Sequence, residues 1–307
     1  MLLSRYSRVG QPGQAHILPI THGDVAGYAL SVGGYLKALL IALAFPALSH
    51  LFMGLAGLLQ LRSWSAPWGD ALRAAGQAPL NYALVQAAAV GVLFIVVFPH
   101  RGREGGLLES LHVRPLVGGL VALCFVAGAF MQLPLAELGN LVQEVWPSSF
   151  EELARRHRLI NPTTWWGGMS VLLALVLVAP LTEELLFRGW LLQDLKKQYG
   201  ETPALVWSSL LFGLAHLEAS AIVYAALGGL VLGAVALRTK STLASIAMHA
   251  GVNALPLLVP VSLLRIRGFN TLGEQVQHIS WWLLLLSIAG VVGILSIIWR
   301  ATEHENG

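Results

Sequence analysis

An all-α, polytopic membrane fold of about eight transmembrane helices is the architecture this sequence predicts. The first observation behind it is charge: Asp, Glu, Lys and Arg make up 11% of the 307 residues, against about 25% in a soluble domain. The second is a hydrophobic content of 56% with a mean hydropathy of +0.68. The third is distribution. The apolar residues gather into stretches long enough to cross a bilayer, which takes about 20 residues. These stretches fall at 35–61, 79–98, 116–136, 166–198, 203–217, 219–237, 243–263 and 281–299, with Pro-, Gly- and charge-bearing loops between them. One transmembrane domain, 31–300, follows a polar segment 1–30, without an internal repeat or low-complexity tract.

Taken in order, the polar start has no apolar h-region after Arg5 and Arg8, so the reading is an uncleaved chain whose first helix serves as the insertion signal. The 35–61 stretch carries Pro46 and a lone His50, read as structural. Cys124, in the third stretch, is the single cysteine and a packing residue; disulfide frameworks and Cys-based zinc sites are excluded. The longest polar interruption, 137–165, is read as a solvated loop in preference to a surface amphipathic helix, although it holds Glu151, Glu152, Arg155, Arg156 and Arg158. The 203–217 stretch is the shortest. Gly228, Gly229 and Gly233 in the next one offer a small-residue packing surface.

The basic residues set the orientation. Arg101, Arg103, Arg114, Lys196, Lys197, Arg238 and Lys240 fall on the side that holds both termini, which makes that side cytoplasmic. Fifteen of the nineteen basic residues are Arg, and Ala, Gly, Leu and Trp are abundant, a composition pointing to a GC-rich bacterium and its inner membrane. The net charge of +3 comes without a basic stripe interleaved with aromatics, so no nucleic-acid partner is expected. Membrane lipid is.

Three short patterns place ionisable groups inside otherwise apolar stretches: Glu183-Glu184-x-x-x-Arg188, Phe212-x-x-x-His216 and His249-x-x-x-Asn253. A charged side chain at the bilayer centre costs about 2.5–3.5 kcal/mol on insertion scales. Glu with His is equipment for activating water, as base and orienter or through a bound metal. Glu184 and Arg188 share a helix face and suit an ion pair. Glu183, turned about 100° from its neighbour, is left for water or substrate. Gly200 stands 17 residues after Glu183 and 16 before His216. A hairpin turning there brings both to one depth, roughly 20–25 Å from the turn at 1.5 Å rise per residue. His249 and Asn253, one turn apart, suit either interhelical hydrogen bonding or donation to a developing oxyanion.

The three motifs, in this order on membrane helices, resemble the CAAX-processing and bacteriocin-processing (CPBP, or ABI) intramembrane protease family, related to the type II CAAX prenyl endopeptidase. The resemblance covers about 166–260. It implies an intramembrane endopeptidase that hydrolyses a peptide bond of a membrane-associated or lipidated peptide or protein. It also implies site residues: Glu183 and His216 activating water, Glu184 and Arg188 shaping the site, His249 and Asn253 stabilising the oxyanion. A His-Glu-x-x-His zinc motif is absent. A metal-free route with Glu183 as base is therefore the favoured reading. Its alternative is a divalent metal such as zinc, held by Glu183, His216 and His249. Two other readings compete. A catalytically inert immunity or scaffold relative has no use for paired buried acids, and a proton-coupled transporter commonly shows repeated halves that this chain lacks.

Overall fold

The computed structural model describes residues 22–76, 78–97, 106–273 and 275–303. Of the polar segment 1–30, residues 1–21 lie outside them. Among the described residues the fold is entirely helical. It comprises α1 (His22–Leu61), α2 (Trp68–Ala75), α3 (Pro79–Val97), the single turn α4 (Leu107–Ser110), α5 (Gly118–Val145) and α6 (Phe150–Ile160). A segmented helix follows: α7 (Trp165–Val171), a π-helical stretch Leu172–Val178, α8 (Ala179–Glu184), a second π-helical stretch Leu185–Leu191, and α9 (Leu192–Tyr199). After it come α10 (Glu201–Leu214), α11 (Ala219–Thr239), α12 (Thr242–Leu258) and α13 (Trp281–Ala301).

A helix forms in each of the eight apolar stretches, the seventh ending at Leu258, short of 263, and among the described residues six are long and apolar enough to cross a membrane: Gly33–Leu61, Pro79–Val96, Gly118–Val145, Trp165–Tyr199, Ala219–Thr239 and Trp281–Ala301. The other two are α10, with 14 residues, and α12, with 17. Both fall short of a full crossing. Irregular backbone at membrane depth is tolerated only where protein covers it or a cavity takes it. The turn after α10, with Leu217 at φ 61°, meets a cavity. Tight packing seats α12: a Cβ on Gly251 would fall 1.9 Å from the Phe125 carbonyl oxygen, and one on Gly128 only 1.8 Å from that of Met248. The bare backbones of α5 and α12 therefore touch.

The solvated loop expected over 137–165 is replaced by two helical pieces. α5 runs on to Val145, and α6 forms a separate amphipathic helix. The signal was a capping box, Ser149-x-x-Glu152: the Ser149 hydroxyl accepts from the Glu152 amide at 3.2 Å. Arg155 and Arg156 reach Glu152 at 2.9 and 3.1 Å, and these charged hydrogen bonds hold the Glu152 carboxyl below its ordinary pKa. Arg156 also bridges to Glu218, at the start of α11, at 2.5 Å.

Alternation of the helices gives the molecule two faces. On one lie the starts of α1 and α12 and the ends of α11 and α13; there Thr242 N–H donates to the His112 carbonyl (2.9 Å) and Arg238 Nε to Thr302 Oγ1 (3.0 Å). On the other lie α2, α6 and the loop 259–280. That loop is clasped by Asn140 Nδ2 donating to the Gly268 carbonyl (2.8 Å) and by His157 Nε2 donating to that of Asn270 (3.1 Å). His278 adds a latch, with Nδ1 2.7 Å from Glu137 and Nε2 3.1 Å from Glu144. Carboxylates only accept, so both bonds at once require the imidazolium, and the two hydrogen bonds raise the His278 pKa. A raised folded pKa means that the latch is complete below the ordinary histidine value and is lost as pH rises through the raised one. Amide exchange over 268–279, corrected for intrinsic base catalysis, is expected to accelerate across that rise and to show no such step in His278→Ala. A pH-independent wild-type profile would remove the latch.

Candidate active site

The site is built on the segmented helix 165–199. A π turn holds one residue more than an α turn and tends to occur at functional positions. Pro180 accounts for the first stretch. It supplies no N–H, and its ring crowds the carbonyl four residues back, so the turn before it widens. The carbonyl of Leu175 in that stretch accepts instead from Asn253 Nδ2 at 2.8 Å. Buried Thr182 bonds back to the Val178 carbonyl at 2.8 Å. The second stretch follows Glu184 at once, so the two acidic residues stand between two widened turns.

The two carboxylates have separate partners. Glu184, 0% exposed, accepts at one oxygen from Arg188 Nη1 (3.0 Å) and from His249 Nδ1 (2.9 Å). Arg188, also fully buried, donates through Nη2 to the Gly229 carbonyl at 3.1 Å and lies 4.2 Å from the Phe212 ring centroid. A Cβ at Gly229 would come 3.1 Å from Arg188 Nη2 and 3.2 Å from Phe212, so any larger residue would press on both side chains. Phe212 meets both imidazoles edge-on, with centroids 5.0 Å from His216 and 5.8 Å from His249. Glu183 is buried and makes no ion pair with a described residue. Its oxygen accepts from Gln86 Nε2 of α3 at 2.9 Å.

Hydrogen bonding fixes both histidine tautomers. His216, in the turn after α10, has Nδ1 2.9 Å from the Phe212 carbonyl, which can only accept, so Nδ1 carries the proton. His249 Nδ1 faces a carboxylate, with the same result. Each neutral ring keeps its lone pair on Nε2. Glu183, His216, His249, Asn253, Gln86 and Tyr224 line one cavity of about 230 Å³. A larger cavity of about 1110 Å³ shares Gln86, Glu183, Phe212 and His216 with it and extends to α2 and α6. The chain reverses at Gly200, φ 84°. Glu183 and His216 reach one cavity without a direct hydrogen bond to each other, in a space large enough for ordered water. All six residues singled out from sequence lie in this region, but in two groups. Glu183, His216, His249 and Asn253 line the cavity, whereas Glu184 and Arg188 form the buried pair behind His249.

For a metal the fit is poor. Among the described residues no three His, Cys, Asp or Glu side chains converge as a ligand group. Glu183, His216 and His249 share the cavity wall without being gathered around one point, and no step below is routed through an ion. Gln86 was missed from sequence. Its signal was a carboxamide inside the 79–98 apolar stretch, but the partner that gives it meaning is 97 residues away.

Comparison with known proteins adds one match: the family model described as Type II CAAX prenyl endopeptidase Rce1-like, over residues 164–255. Neither the curated proteins nor the solved structures give a match. The matched span runs from the start of α7 almost to the end of α12 and takes in all three motifs; α1–α6 and α13 lie outside it. Residues 164–255 of this chain are thus similar to the Rce1-like, type II CAAX prenyl endopeptidase family.

Proposed function

We propose that the protein is a bacterial inner-membrane endopeptidase that hydrolyses a membrane-associated or lipidated peptide with water activated by Glu183. The observation that carries this is the single cavity shared by Glu183, His216, His249 and Asn253. Glu183 takes a proton from a water held between it and His216 Nε2. The hydroxide attacks the scissile carbonyl, and Glu183 returns the proton to the leaving amine, so one carboxylate serves as base and then as acid. The tetrahedral oxyanion lies toward the second N–H of Asn253, whose first N–H donates to the Leu175 carbonyl, with His249 beside it in the same cavity wall. The Glu184–Arg188 pair orients His249 through its Nδ1. An inert relative would have no use for an unpaired buried carboxylate beside an imidazole with a free Nε2. The test is comparative peptidomics of membranes carrying wild type or Glu183→Ala. Fragments present only with wild type are expected, and identical peptide populations would refute the assignment.

Gln86 is the positioning residue in this scheme. Gln86→Leu keeps much of the side-chain volume and removes the N–H that orients Glu183. A hydrogen bond to a charged group contributes about 1.5–3 kcal/mol. Turnover on a peptide found in that comparison should therefore fall about tenfold or more while the melting temperature changes little, and Gln86→His, which still offers an N–H, should recover part of the loss. Wild-type turnover in Gln86→Leu would show the contact to be incidental.

A further inference from the structure

Glu183 and His216 stand at a junction. With Gln86 and Phe212 they line both cavities, and no other described residue belongs to the two. The larger cavity, about 1110 Å³, leads away from them toward α2 and α6. Its size exceeds the roughly 300–1,000 Å³ of a drug-sized ligand pocket, so several residues of a peptide can lie in it. The smaller cavity is a side chamber of about 230 Å³. Beyond its polar groups the wall is apolar: Met131 and Leu135 of α5, Ala225, Gly228 and Leu232 of α11, and Val252 of α12. An apolar wall with a few convergent polar groups is the usual make-up of a binding pocket. An apolar cavity of about 150 Å³ holds a benzene molecule. The chamber therefore has room for one aromatic or branched aliphatic side chain.

Gly228 shows that this room is kept. Ala225, Gly228 and Leu232 recur at spacings of three and four residues, on one face of α11. A Cβ at Gly228 would have only the Leu135 side chain within 4 Å, with Cδ1 at 3.2 Å and Cδ2 at 3.6 Å. At Gly213, by contrast, a Cβ would fall 2.5 Å from the Ile222 carbonyl oxygen. No backbone contact demands glycine at 228, and a glycine inside a helix is a destabilising choice. What it leaves is space beside Leu135. A peptide that lies in the larger cavity and sets its scissile carbonyl at Glu183 has one flanking side chain next to that space. We infer that the chamber is the specificity pocket of the peptidase and takes one apolar side chain, aromatic or branched aliphatic, from a residue flanking the scissile bond. The inference rests on the peptidase reading and adds the residue that the enzyme selects.

Changing the width of the chamber tests it. Gly228→Ala and Gly228→Val narrow it in two steps, and Leu135→Ala widens it. Peptides from membranes carrying each variant are compared with those from wild type and Glu183→Ala, and the residues on both sides of every cleaved bond are read. In wild type, one of the two positions should hold mainly Leu, Ile or Phe. Gly228→Val should move that position to Ala and Ser. It should also lower cleavage of a Leu or Phe peptide relative to its Ala counterpart on the order of 10- to 200-fold, the discrimination that one methylene commands in an apolar pocket. Gly228→Ala should fall between, and Leu135→Ala should move the preference toward Phe and Trp. Melting temperatures identify a variant that has not folded, and either direction of change decides if the other variant fails. An unchanged preference in the folded variants, or no apolar preference in wild type, overturns the inference. Identical peptides in wild type and Glu183→Ala would refute the peptidase reading and the pocket with it. Peptides that depend on Glu183 but ignore the chamber's width would refute the pocket alone.

Discussion

Glu183→Gln and His216→Ala are each expected to lower the single-turnover cleavage rate about 10²–10⁴-fold, the usual contribution of a positioned general base. The glutamine variant is the sharper of the two. Its carboxamide matches the carboxylate in size, and its oxygen can still accept from Gln86 Nε2, so packing and membrane insertion are kept while the proton acceptor is gone. His216→Ala removes the second Nε2 that faces the shared cavity and the edge-on contact with Phe212. Both are measured on purified protein in detergent with a peptide identified from membranes carrying the wild type. Near-wild-type cleavage by either variant would end its assignment to water activation.

Arg188→Ala is expected to act on stability first. The guanidinium is wholly buried, donates to Glu184 and to the Gly229 carbonyl, and stacks on Phe212. Removing one member of a buried ion pair typically costs about 3–5 kcal/mol, because the partner charge stays buried and unpaired. Here Glu184 would retain His249 and the neighbouring Ser245 hydroxyl but no cation of its own, and the imidazole would lose its orientation as the carboxylate relaxed. Both melting temperature and turnover should fall, whereas Glu183→Gln should melt like wild type. Arg188→Lys should stay intermediate, since an ammonium cannot reproduce the two-directional fork to Glu184 and Gly229. If Arg188→Ala melts like wild type and loses only activity, Arg188 contacts substrate and its structural role is wrong.

What could be read from the chain divides by the distance over which a residue acts. The eight apolar stretches, the Glu184–Arg188 spacing and the reversal at Gly200 are local, because a helix repeats its geometry every few residues. The bond from His249 to Glu184 and the one from Gln86 to Glu183 join helices far apart in sequence, and spacing within one helix says nothing about which of its faces another helix will meet. Sequence reading left His249 and Asn253 between interhelical hydrogen bonding and oxyanion donation; the structure gives each an interhelical partner of its own, a carboxylate for His249 and a backbone carbonyl for Asn253, while both line the cavity. α6 was a different kind of miss. Its capping box was present and its charges were noted, but they were weighed as loop. The π-helical stretches had a partial signal in Pro180, which announces a disturbed turn without saying whether the helix kinks, stops or widens.

Those widened turns also set how the chain tolerates change in length. Each π stretch holds an extra residue, so a one-residue deletion inside it can be taken up as the turn tightens to an ordinary α turn, with the helix on either side kept in phase. An insertion finds no such slack: after one in 172–178 the rest of the helix would be rotated by about 100°, turning Glu183 away from Gln86 and Glu184 away from His249. Point substitutions in these apolar stretches alter packing, but insertions alter phase. The active carboxylate is thus registered to its neighbours as a tooth is to a gear, by residue count as well as by its contact with Gln86.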